Sequence, residues 1–117
     1  DVRAFAQRMV NDHTAVNDQA LALVKKLNVT PEDNPTSQSL TQAADAERKK
    51  LAGLDGTAFD KAYVDNEVAY HKTVNEALSK TLIPDARNAE MKSLLEKGLK
   101  LFESHQQHAE ALAKQLH

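Results

Sequence analysis

The sequence predicts an all-α chain folded as an antiparallel four-helix bundle, with three long helices and one shorter one. Three observations carry that expectation. Alanine, leucine, lysine, glutamine and glutamate dominate, all good helix formers, and no stretch alternates apolar and polar residues as a strand would. Only three glycines and three prolines occur, most of them between periodic segments. Within those segments apolar residues recur at steps of three and four, the mark of a helix that buries one face.

The first helix is expected from the start of the chain to about Asn28, with Val2, Ala6, Met9, His13, Val16, Ala20, Leu23 and Leu27 on one seam. The stretch "NVTPEDNPTS" (28–37) breaks it, since Pro31 and Pro35 forbid continuation. A weaker helix follows over 37–53, with Ser39 and Gln42 at capping-box spacing and a thin stripe of Leu40, Ala44, Glu47 and Leu51. That thin stripe marks it as the least stable element. "GLDG" (53–56) ends it, and Thr57 with Asp60 caps a third helix reaching about Leu82. There Val64, Glu67, His71, Val74, Leu78 and Leu82 share an arc flanked by Phe59, Tyr63 and Val68. After the turn "IPDARN" (83–88), a fourth helix runs to about Leu116, with Met91, Leu94, Gly98, Leu101, Phe102, His105, Ala109, Leu112 and Leu116 on one face. Short loops make sequential helices antiparallel neighbours.

At 117 residues the chain is a single helical-bundle domain, 1–117, with one modest core. Its 15 basic and 17 acidic residues are interspersed and sum to −2, so no basic footprint for nucleic acid or acidic lipid is present. Lys25–Lys26 and Arg48–Lys49–Lys50 read as solvated helix faces. No apolar run approaches the roughly 18 residues of a membrane span. The absence of cysteine removes disulfides, thiolate metal sites and cysteine nucleophiles. No phosphate-binding glycine loop and no HExxH motif occurs. Ser104 and His105 are adjacent on a helix and therefore point apart, so they make no nucleophile–base pair. Phe5, Phe59, Tyr63, Tyr70 and Phe102 read as core and rim packing. With no catalytic constellation, the expectation is a non-enzymatic domain.

The inward polar residues are the feature that composition does not explain. At about 100° per residue, His13, His71 and His105 each fall at the middle of the apolar arc of their own helix. His108 lies at the edge of its arc and His117 is terminal. Glu67 stands one turn before His71 on the same face, where a carboxylate is costly unless it is paired. Asp12 is turned about 100° from His13, a surface residue or a support for a ligand. Bundles build metal sites from side chains on facing helices, so His13, Glu67, His71, His105 and His108 are the candidate ligands, for zinc or copper. The alternative is a structural or interaction module whose core histidines are satisfied by hydrogen bonds. Counting heights from turns near 32, 55 and 85 puts His105 about 9 Å from the level of both His13 and His71. That spacing predicts that the three do not share one ion, that His108 partners His13, and that Glu67 and His71 form a local pair.

Three stretches, "VRAFAQRMVNDHTAVND" (2–18), "FDKAYVDNEVAYH" (59–71) and "LKLFESHQQHAEAL" (99–112), together resemble one bacterial family, the exported domain of unknown function 4142. Its members are often labelled predicted outer membrane proteins and are grouped with ferritin-like bundles. The resemblance implies a periplasmic or secreted protein without an established activity, and it places His13, His71 and His105 on the family's recurrent histidines. It also implies a further helix upstream, with a natural N-terminus before Asp1, since the periodic pattern opens at once and lacks a convincing cap. Uncovered apolar surface would then favour weak self-association around Phe5 and Phe102. A degenerate ferritin-like oxidase is the third reading. Ferritin-like di-iron sites use ExxH pairs, whereas Glu67 and His71 are spaced i, i+4 and no ExxH occurs.

Overall fold

In a computed structural model of the chain, which describes residues 1–30 and 32–117, every regular element is helical. The first helix, α1 (Val2–Lys26), has Asp1 as its N-cap, without a side-chain capping bond. It stops where Asn28 takes φ 56, a left-handed conformation that asparagine tolerates better than most residues. Pro31, one of the two expected breakers, lies outside the described residues.

Pro35 is not a breaker but the first residue of α2 (Pro35–Ala52). Proline suits that position because its missing N–H would have no helical partner anyway. The capping box sits at Asn34 and Ser37, not at Ser39 and Gln42: the Ser37 N–H donates to Asn34 Oδ1 at 2.8 Å, and the Asn34 N–H donates to Ser37 Oγ at 3.0 Å. Helix α3 (Gly56–Ala77) likewise starts earlier than Thr57, with Asp55 at the N-cap. Gly56 has φ +53, a backbone conformation that glycine adopts without steric cost.

The α-helical hydrogen bonding of α3 gives way at Leu78–Leu82 to one wider π turn, followed by the single turn α4 (Ile83–Asp85). Pro84 explains the change of pitch, since its ring would crowd the carbonyl four residues before it. The last helix, α5 (Ala89–Leu116), is capped by Asn88, whose side chain accepts from the Met91 N–H at 3.0 Å.

Cross-helix contacts fix the directions. Asn75 meets Gln106, Lys72 meets Glu110 and Asp65 meets His117, so α3 and α5 run antiparallel. Phe5 meets His108, Asp12 meets His105 and Lys26 meets Glu90, so α1 is antiparallel to α5 and therefore parallel to α3. The long axis of 45 Å is close to the length of α5, whose 28 residues span about 42 Å.

The apolar core lies towards one end of this three-helix group, where Phe5, Met9, Val64, Ala109 and Leu112 pack together. Phe5 is fully buried. Phe102 also turns inward, stacking on His13. By contrast α2 contains no buried residue and packs chiefly on α3. It is the fourth and shorter helix of the bundle, and it adds little to the core.

Candidate metal centre

One level towards the middle of the bundle from that apolar core, α1, α3 and α5 each contribute one histidine. One nitrogen of His13, one of His71 and one of His105 lie within 4.8 Å of one another. Ring centroids are separated by 5.7 Å (His13–His71), 5.2 Å (His13–His105) and 5.6 Å (His71–His105). The expected mismatch in height is therefore wrong. The hairpin from α3 to α5 turns at 86–88, and His71 precedes Asn88 by as many residues as His105 follows it, so the two are level. The level of α1 differs as well, because α1 ends at Lys26 and the described residues between Lys26 and Pro35 are not helical. A height counted at the helical rise of about 1.5 Å per residue does not hold there.

Each buried ring is oriented by its neighbours. His71 is 2 % exposed, and its Nδ1–H donates to the Glu67 backbone carbonyl at 2.8 Å. His105 is 1 % exposed, and its Nε2–H donates to the Asp12 carboxylate at 2.8 Å. Arg8 Nε lies 3.5 Å from the same carboxylate oxygen. With one ring nitrogen acting as donor, the other in a neutral imidazole carries a lone pair. His71 Nε2 and His105 Nδ1 are those other nitrogens, and both are buried without a hydrogen-bond partner. His13 is half-buried, and its ring stacks on Phe102 with centroids 4.7 Å apart and planes 6° from parallel.

The electrostatics keep two of the three imidazoles uncharged. Burial, then the neighbouring His105 and His71, push the His13 pKa down from 6.5 to about 4. Burial also lowers that of His71, against the opposing pull of its bond to the Glu67 carbonyl. Asp12 is held below the usual carboxylate range, chiefly by its hydrogen bond to His105. At neutral pH His13 and His71 are therefore neutral, the protonation state a metal ligand needs.

The other two expected ligands lie apart from this cluster. Glu67 sits beside the Nδ1 edge of His71, with Oε2 3.4 Å away, so the local pair exists but on the far side of the ring from the free nitrogen. Burial raises the Glu67 pKa. His108 packs edge-on against Phe5 at 4.9 Å and is not among the three converging donors. Asp12 is the residue whose role periodicity could not assign. Its rotation away from His13 carries it towards α5, where it meets His105.

A groove of about 590 Å³ reaches the cluster from one side, with His13, His71, Met9, Val10, Tyr63, Glu67 and Tyr70 in its walls and Arg48 of α2 contributing. Burial and the nearby Glu67 push the Tyr63 pKa up to about 12, so its phenol stays protonated.

A protein-family model described as Domain of unknown function (DUF4142) matches residues 1–112. No curated protein and no solved structure matches the chain.

Proposed function

The chain belongs to the DUF4142 family, whose description gives no activity, and from the geometry of its own side chains we propose that it binds one zinc or copper ion through His13, His71 and His105. The observation that carries the proposal is the pair of buried, unpartnered nitrogens on His71 and His105, each opposite a ring nitrogen already engaged by a carbonyl or a carboxylate. Histidine ligands in metal sites are oriented in this way, by a hydrogen bond from the nitrogen that does not touch the metal.

A purely structural role for the histidines requires their polar atoms to be satisfied. Leaving a buried acceptor unpaired costs about 1–3 kcal/mol, and here two of them belong to rings clustered with a third imidazole. Imidazole donors suit zinc and copper, and three of them match the donor set of open zinc sites. Metal–nitrogen bonds are about 2.0–2.1 Å long, so the three rings would have to draw together to share one ion.

Equilibrium dialysis against zinc and against copper, followed by elemental analysis, tests the proposal. One equivalent per chain is expected, with the uptake lost in His71→Leu and in His105→Leu. If the wild-type protein retains no ion, or the variants retain as much, the two nitrogens serve another purpose and the proposal falls. The role we assign is non-enzymatic and exported, supported by the absence of a catalytic constellation and by the sequence resemblance. Recovery in the periplasmic fraction of a bacterial host carrying the full-length gene checks the second part.

A further inference from the structure

If the three histidines hold an ion, their chemistry leaves its charge uncompensated. An imidazole ligand brings no negative charge to an ion, and no carboxylate joins the cluster among the described residues. The two nearest candidates are turned elsewhere. Asp12 accepts from His105 Nε2 and lies beside Arg8, while Glu67 sits at the Nδ1 edge of His71, behind the ring that presents Nε2. Three nitrogen donors also fall one short of the four that zinc takes. The missing donor therefore comes from solution, and an anion is favoured because it offsets the buried charge.

The groove says what else that ligand should carry. Of the three ligands, His13 and His71 line it, beside Glu67 and Arg48, which makes it an open approach to the histidine layer. Around them stand Met9, Val10, Tyr63 and Tyr70, a largely apolar wall, and Val10 and Tyr70 are exposed at its rim. Tyr63 remains a neutral phenol. A cavity of about 590 Å³ has room for a ring or a short chain beside the coordinating group.

Building on the metal assignment, we propose that the bound ion keeps one coordination position open to this groove and takes there a small organic monocarboxylate. Its carboxylate oxygen donates a lone pair to the ion as a bound water leaves, and its apolar body packs against Met9, Val10 and the tyrosines. No bond within the ligand breaks, and no electron is transferred.

The test uses the chain loaded with cobalt(II), a zinc substitute whose visible absorption reports coordination. Titration with azide, acetate and benzoate should each change the cobalt band in a saturable way. Benzoate should half-saturate at a concentration at least about tenfold lower than acetate, because its ring leaves water for the groove. Failure to take up cobalt at all, together with zinc and copper, would defeat the metal assignment itself. Uptake with a band that none of the three anions moves would defeat the open position alone. A band unresponsive in wild type but responsive in Glu67→Gln would show that Glu67 closes the sphere, which also overturns the proposal. Equal affinity for benzoate and acetate would overturn the groove as the recognising element.

Discussion

Two neighbouring layers of the same three helices are built from the same stripes and do opposite things. In one, Phe5 and Met9 of α1, Val64 of α3, and Ala109 and Leu112 of α5 exclude water and leave no polar atom to satisfy. In the next, His13, His71 and His105 occupy the equivalent inward positions, His71 and His105 fully buried and His13 half-buried, and two buried nitrogens there lack partners. Helical periodicity places both layers equally well. What separates them is that the first lowers the free energy of the fold by burial alone, whereas the second holds polar atoms that an ion would satisfy.

Breaking the apolar layer should have the largest effect. Phe5→Ala removes a fully buried ring and its edge contact with His108, and should cost about 3–5 kcal/mol in urea or thermal unfolding. The corresponding change in the histidine layer should behave differently. The His13 side chain makes no hydrogen bond among the described residues, so His13→Leu should leave stability within about 1.5 kcal/mol of wild type, or raise it, while metal uptake falls. Unfolding of that variant with unchanged metal content would erase the distinction between the layers.

A subtler probe is Asp12, whose carboxylate is hydrogen-bonded to His105. Asp12→Asn should weaken zinc or copper binding about 10–100-fold, measured by competition with a chelating dye, without changing the stoichiometry.

Acid should also separate the layers. The folded-state pKa of His13, about 4, lies below its ordinary value of 6.5, so between those values the unfolded chain binds the proton that the fold excludes. Stability from this source is complete above pH 6.5, declines as the pH falls, and is gone below about 4. His71 acts in the same sense, and Glu67, whose pKa is raised, acts in the opposite one. The metal-free protein should therefore lose melting temperature across this window, and His13→Leu should lose less.

The smallest free energy belongs to the region outside both layers. With no buried residue, α2 should exchange its amide hydrogens through openings well below the global unfolding free energy. Protection there equal to that of α5 would contradict its peripheral position.

The seams of the long helices were legible because spacing alone defines them, and all three central histidines lay on them. Their convergence was not, because it depends on where each hairpin turns. Asn88 as the N-cap of α5 sets His71 level with His105, and a turn placed three residues earlier hides that relation. Local chemistry was also ambiguous at the caps. Pro35 reads as a breaker from its missing N–H, yet the same deficiency suits a first helical position. Phe5 stands off the seam drawn through Val2, Ala6 and Met9, but it is fully buried because α1 is covered from two sides, by Tyr63 of α3 and His108 of α5. Asp12 illustrates the remaining gap. A residue that supports a ligand from another helix leaves no periodic trace of that partnership in its own.

X-ray absorption at the zinc edge of the loaded protein addresses the central claim most directly. Three histidine nitrogens at about 2.0–2.1 Å, with the multiple-scattering pattern of imidazole and one lighter donor, are the predicted result. A shell made of oxygen alone, or one whose imidazole scattering survives in the combined His71→Leu and His105→Leu variant, would contradict it.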